Sequence, residues 1–165
     1  MLNFFILAPV SKKNASVVLG DMLLTPDQYQ FLFTNDSFKR HGLARTFTHW
    51  ADAIVPYKVD TALDPMLKQF LKDAMQYISN VSCIEFKLHD GSTPDYVFVT
   101  TGTGCTSQVG KLKQGQQTLK LSKSCGPGNI IHELLHTLGF LHMHVSTKPS
   151  NISCPTQLHF SPSLT

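Results

Sequence analysis

The chain has 165 residues, of which 42% are hydrophobic and 15% charged, with a formal net charge of +3. That composition fits one globular domain with a core large enough that disulfides are supplements to it. Basic residues form no run longer than the pairs Lys12-Lys13 and Lys39-Arg40, so no electrostatic footprint for nucleic acid is present, and no apolar run is long enough to cross a bilayer.

The opening stretch MLNFFILAPV is apolar but lacks a charged start and a clear small-residue cleavage site. It reads as the remnant of a secretory signal, with the first strand-like piece of a prosegment as the alternative. Residues 1–45 are set apart as signal remnant or prosegment. Within them, Thr25-Pro26-Asp27-Gln28 reads as a helix start, with a cap, a proline at the first helical position and an acidic first turn. This predicts a helix over Pro26–Phe33. Residues 53–60 read as a strand, with Pro56 pointing to an edge or an irregular start. Asp64-Pro65 opens a helix in which Leu63, Leu67, Phe70, Leu71, Ala74 and Ile78 keep helical spacing, ending near Ser79-Asn80. IEFKLHD (84–90) alternates and predicts a half-buried strand, whereas the β-branched DYVFVTTG (95–102) predicts a buried one. GKLKQGQQ is a loop, and TLKLS (118–122) is another alternating strand. Gly126-Pro127-Gly128 breaks the chain; Asn129 is expected to cap a helix to about Leu138, stopped by Gly139. The order implies an α+β domain over 46–145, a mixed sheet covered by two helices. The Ser/Pro-rich residues 146–165 show no periodicity and are expected to be irregular.

The four cysteines, Cys83, Cys105, Cys125 and Cys154, form no C-x-x-C pair, which disfavours a cysteine zinc site. Four N-x-S sequons stand at Asn14, Asn35, Asn80 and Asn151. With an even cysteine count, they favour a secreted protein over a cytosolic one with reduced thiols.

The chemistry concentrates in IIHELLHTLGFLH (130–142); five of the eight histidines lie in 132–159. Residues four apart share one helix face, so His132 and His136 can aim imidazole nitrogens at one ion. Gly139 can take a left-handed conformation and turn the chain back, bringing His142 in as a third ligand. Three neutral imidazoles leave Zn²⁺ its charge and an open position for water. Glu133, one step round the helix, is placed to act as base on that water, whose pKa the ion lowers to about 7. H-E-x-x-H-x-x-G-x-x-H fixes five positions that share one mechanism, which makes it far more specific than H-E-x-x-H alone.

The segment from about Trp50 to His142 resembles the astacin family of secreted zinc endopeptidases. Trp50 followed by Val55-Pro56-Tyr57, the helix and strand around AMQYISNVSCIEF (74–86), GCTSQVGKLKQGQQTLKLSKSC (104–125) and the zinc motif are each similar to the family pattern. The resemblance implies a zincin-like upper lobe with a twisted mixed sheet and two long helices, the second carrying the motif. It implies a disulfide between Cys105 and Cys125, and a protein or peptide substrate held extended along a sheet edge. VLGD (18–21) resembles the prosegment F-x-G-D, with Val18 for Phe. Carried over, Asp21 would ligate the metal and keep a zymogen silent until cleavage, with Arg40 or Arg45 as the basic sites available. A plain turn is the alternative reading of Gly20-Asp21.

The sequence also departs from the family. Met143 stands where the family has the glutamate that meets the new N-terminus after activation. The tyrosines are Tyr29, Tyr57, Tyr77 and Tyr96, so none follows His142, and the family's Met-turn has no counterpart. The lower lobe is therefore expected to be truncated. The expected consequences are an exposed apolar underside of the site helix, a pairing of Cys83 with Cys154 in place of the family's partner, and a choice between a working endopeptidase and an impaired zinc-binding form acting as decoy or partner-binding domain.

Overall fold

A computed structural model describes residues 16–33 and 49–142. Arg40, Arg45, Asn14, Asn35, Asn151, Met143 and Cys154, and with Cys154 its expected bridge to Cys83, lie outside the described residues. In chain order the elements are β1 (Val17–Leu19), β2 (Met22–Leu24), α1 (Pro26–Phe33), a 3-10 turn (Ala51–Ala53), β3 (Ile54–Val59), α2 (Pro65–Val81), β4 (Glu85–Leu88), β5 (Tyr96–Thr101), β6 (Thr106–Gln108), β7 (Gln116–Leu121) and α3 (Pro127–Thr137). The strands form one seven-stranded sheet in the order β1-β2-β6-β7-β5-β3-β4. β1/β2 and β6/β7 are antiparallel, and the remaining neighbours run parallel, so the sheet is mixed.

The predicted start of α2 is chemically explicit. Asp64 caps α2 by accepting the Met66 N–H at 2.9 Å, with Pro65 at the first helical position. The apolar stripe Leu67, Leu71, Ala74, Met75 and Ile78 is buried beneath it. Leu119, Leu121, Val97 and Val99 meet that stripe from the sheet, and Ile130, Leu134 and Leu138 meet it from α3. The two long helices thus pack on each other and on the central strands, the α+β arrangement expected.

Four expectations are corrected. β3 is an interior strand, flanked by β4 and β5. Pro56 is tolerated because pairing with β5 begins only at Tyr57, while the Tyr57 carbonyl accepts the His89 N–H on the β4 side. Backbone groups alternate sides along a strand, so the proline nitrogen faces the β5 side before that ladder starts. β4 is a sheet edge and mostly exposed, with only Phe86 partly buried. Gly126 is the N-cap of α3, Pro127 is its first residue, and Asn129 reaches back from the third position to accept the Gly126 N–H at 3.1 Å. Finally, no large apolar side chain of α3 is exposed: Ile130 and Leu134 are buried, and Ile131 and Leu135 partly so.

β1, β2 and β6 are further strands that periodicity did not reveal. Gly20-Asp21 is indeed a tight turn, joining Leu19 to its partner Met22. Gly20 sits at φ 65°, the positive value that the first central position of a II′ hairpin needs. β2 then lies parallel to β6, with Met22 beside Ser107 and Leu23 beside Gln108. Residues 17–24 therefore cover a strand that would otherwise be the sheet edge.

Candidate metal centre

α3 is held at its C-terminal end by groups that fix its last turn. The Thr137 carbonyl accepts Trp50 Nε1–H at 3.0 Å, and the His136 carbonyl accepts the Gly110 N–H at 2.9 Å and the Gly139 N–H at 2.8 Å. These carbonyls have no partner within the helix and would otherwise be left unsatisfied. The Thr137 hydroxyl donates to the Glu133 carbonyl at 3.1 Å and sits 2.9 Å from the Ser107 hydroxyl, tying the helix to β6. Gly139 takes φ 104°, as its place in the motif predicts, and reverses the chain toward His142.

The result is convergence. His132 Nε2 lies 3.0 Å from His136 Nε2 and 3.1 Å from His142 Nε2. Asp21 joins them from the β1–β2 turn: Oδ2 is 3.1 Å from His132 Nε2, and Oδ1 is 3.1 Å from His142 Nε2 and 3.5 Å from His136 Nε2. One ligand atom from each of the four residues falls within 4.8 Å of all the others. His136 is buried, and its Nδ1 lies 2.7 Å from the Phe140 carbonyl. A carbonyl only accepts, so Nδ1 carries the proton and Nε2 presents a lone pair to the cluster. Burial is the main cause that pushes the His136 pKa down; the Phe140 contact works against it. Asp21 Oδ1 is buried and makes no hydrogen bond despite its histidine neighbours.

Such a set fits a divalent ion. Tetrahedral Zn–N bonds of about 2.0–2.1 Å place nitrogen ligands roughly 3.3 Å apart, close to what is seen here. A carboxylate oxygen with no hydrogen bond, facing imidazole lone pairs, is an arrangement that a cation between them satisfies. Glu133 lies beside this cluster, buried, with Oε2 making no hydrogen bond. Its pKa is pushed up to about 8, first by burial and then by the negative charge of Asp21. A cation on the histidines acts in the opposite direction.

Every residue expected at the site from the sequence, His132, Glu133, His136, His142 and Asp21, is therefore brought together. Cys105 and Cys125 form a disulfide with Cα atoms 5.9 Å apart. Cys83 is disulfide-bonded as well. Sequence reasoning placed Gln28 in the helix start but missed its anchoring role. It is fully buried on α1 and donates Nε2–H to the Val109 carbonyl at 2.9 Å, while Thr25 and Gln28 close a reciprocal capping box. The signal was readable: Thr25-Pro-Asp-Gln28 is the T-x-x-Q form of that motif.

The family model for astacin, a peptidase family, matches residues 42–151. The chain belongs to the astacin family. Among relatives, zinc metalloproteinase nas-12 of Caenorhabditis elegans is 38% identical over 133 residues, covering 77% of this chain and 34% of that protein. The dorsal-ventral patterning protein tolloid of Drosophila melanogaster is 37% identical over 98 residues, 58% of this chain and 9% of that one. A solved structure of high choriolytic enzyme 1, a hatching enzyme zinc-protease from the medaka Oryzias latipes, aligns at a TM-score of 0.50 and 29% identity, covering 58% of this chain and 49% of that chain. The chain thus spans about a third of the length of nas-12, and less of nas-6 and nas-7. Zinc dependence is a property of astacins, and the three-histidine set is the feature of this chain that suits it.

Proposed function

We propose that the chain is the zinc-binding part of a secreted astacin-type metalloendopeptidase, present in a latent form. The supporting observation is the convergence of three Nε2 atoms and the Asp21 carboxylate beside the buried Glu133. His132, His136 and His142 would hold Zn²⁺. When bound, the ion would supply Lewis-acid polarisation of a peptide carbonyl and would acidify water. Glu133 takes the proton from the attacking water on its carboxylate and passes it to the leaving amine nitrogen. Its burial keeps bulk water from competing for that proton. His136, oriented by the Phe140 carbonyl, keeps the tautomer that a ligand requires.

Asp21 is the latency ligand on this reading, and residues 1–45 are the prosegment preceding a catalytic portion at 46–145. Peptide substrate would lie extended against β6, the strand that β2 now covers, adding itself to the sheet by main-chain hydrogen bonds. A second reading, a zinc-binding form without catalysis, is favoured by Met143 in place of the family's glutamate.

The test uses the whole chain made under oxidising conditions, with bound zinc measured by elemental analysis and cleavage followed on casein. One equivalent of zinc, with casein cleavage that appears in Asp21→Ala once limited trypsin digestion and gel filtration have removed the segment covering β6, and that is lost in the Asp21→Ala/Glu133→Gln double variant treated alike, is the expected result. Zinc at one equivalent with no Glu133-dependent cleavage in either background supports the second reading. A chain that binds no zinc sinks both.

A further inference from the structure

The α2 helix ends in a surface that the metal site does not use. Tyr77 is 57% exposed and Val81 68% exposed, and they are four residues apart, so they form one apolar strip on the helix face turned to solvent. Between them stands Asn80, also exposed, three residues after Tyr77 and first in the sequon Asn80-Val81-Ser82. The Asn80 carboxamide is already oriented. Its Oδ1 accepts Gln76 Nε2–H at 2.8 Å, one helical turn back. That leaves Nδ2, the atom a sugar would be attached to, with no hydrogen bond among those described.

We propose that Asn80 is an N-glycosylation site whose glycan covers the exposed Tyr77–Val81 strip at the end of α2. In the linking step Nδ2 bonds to C1 of the terminal N-acetylglucosamine of a lipid-pyrophosphate-linked oligosaccharide. The C1–O bond to pyrophosphate breaks with its electron pair, and the amide gives up one proton. The donor belongs to the secretory lumen, an oxidising compartment. A chain that carries the Cys105–Cys125 disulfide is chemically suited to it.

Ser82 explains the order of events. In the folded protein its hydroxyl donates to the Ile78 carbonyl at 2.6 Å and accepts the Ile84 N–H at 3.2 Å, closing the end of α2. A hydroxyl engaged in this way is not presented as part of an extended sequon. Modification therefore precedes the closing of the helix end, after which the same hydroxyl becomes a structural group. The sugar is then displayed beside an aromatic ring and a valine that otherwise face water, where an amphipathic saccharide can shield them. The proposal is independent of whether the chain cleaves peptides.

The whole chain is to be secreted from eukaryotic cells behind a standard signal peptide, then treated with peptide-N-glycosidase in ¹⁸O-water. Removal of a glycan converts Asn80 to labelled aspartate, read by mass spectrometry in the tryptic peptide between Lys72 and Lys87, which holds no other sequon. The expected result is label in the wild type and in Ser82→Thr, with complete loss in Ser82→Ala and Asn80→Gln. Ser82→Thr keeps both the sequon and the hydroxyl at the helix end, so secretion of unlabelled Ser82→Ala at the wild-type level is what separates a sequon requirement from a folding defect. An unlabelled wild-type peptide from lumenal or secreted protein overturns the proposal. For the covering role, native deglycosylation should raise binding of an apolar fluorescent dye, and Tyr77→Ser should remove that rise. Unchanged dye binding removes this part of the proposal.

Discussion

Gln28→Ala is the most informative perturbation, because it tests how the N-terminal segment is held over the metal centre. Among the described residues, Gln28 Nε2 donates to the fully buried Val109 carbonyl and its Oε1 accepts the Thr25 N–H, both at 2.9 Å. Alanine leaves both backbone groups without these partners. Stranding a buried polar group costs about 1–3 kcal/mol, and Thr25 is only partly buried, so the sum is about 2–4 kcal/mol. At 1.4 kcal/mol per factor of ten, the undocked population of residues 17–33 should rise roughly 30- to 700-fold. Alanine is also a better helix former than glutamine, so α1 itself does not weaken through propensity. Native-state hydrogen exchange reads the effect directly. Amides of β2 should exchange faster by that factor, while those of β5, in the centre of the sheet, should keep their protection. Unchanged β2 exchange refutes the anchoring role. An equal acceleration in β5 also refutes it, since the whole fold rather than the segment would then have loosened.

Removing the disulfide by Cys105→Ala/Cys125→Ala opens a loop with a sequence separation of 20, which should cost about 3 kcal/mol, read as a lower urea midpoint. Gly139→Ala places a side chain at φ 104°, a strain of about 1–3 kcal/mol. Because Gly139 sets the approach of His142, the variant should lose zinc to a competing chelator sooner than wild type, and equal retention would argue against that role. His136 has a folded pKa below the ordinary 6.5, chiefly from burial. The unfolded chain thus takes up the proton first, and this contribution to stability is complete above 6.5 and falls as pH drops below it. Thermal melts of metal-free protein from pH 7 to pH 5 should show a Tm decline that His136→Phe reduces.

What the sequence disclosed depended on whether the signal was local. α1 was legible to the residue because Thr25, Pro26 and Asp27 each state a helix start by their own chemistry. The zinc motif was legible because helical spacing and one glycine fix where three imidazoles go. β1, β2 and β6 were not, since three residues are too short for any period to show. β6 adds a polar composition, Thr-Ser-Gln, that belongs to no strand template. Its neighbour β2 lies more than eighty residues upstream, a pairing that only the folded chain discloses. Pro56 misled because the rule that proline sits at sheet edges applies to one face of a strand at one residue, and β3 reaches β5 only after it. Asn129 misled because a proline at the first helical position moved the start three residues earlier than its own capping preference suggested.

The long-range contacts that were invisible in the sequence also determine what activation would require. Residues 17–33 are bound by more than Asp21. Met22 and Leu24 are fully buried against Val109, in a small core that Leu141 joins next to the third histidine. Each such side chain is worth about 1.5–3 kcal/mol when removed from water. The β2–β6 ladder and Gln28 add to this. Cutting the chain downstream of α1 abolishes none of these contacts; it removes only the covalent tether, so that rebinding of the segment becomes a bimolecular event. A cleaved segment would therefore remain on the domain until diluted or displaced. On the proposed reading, a peptide competing for β6 must replace a parallel strand already paired there, so substrate and segment exclude one another at the sheet edge as well as at the metal.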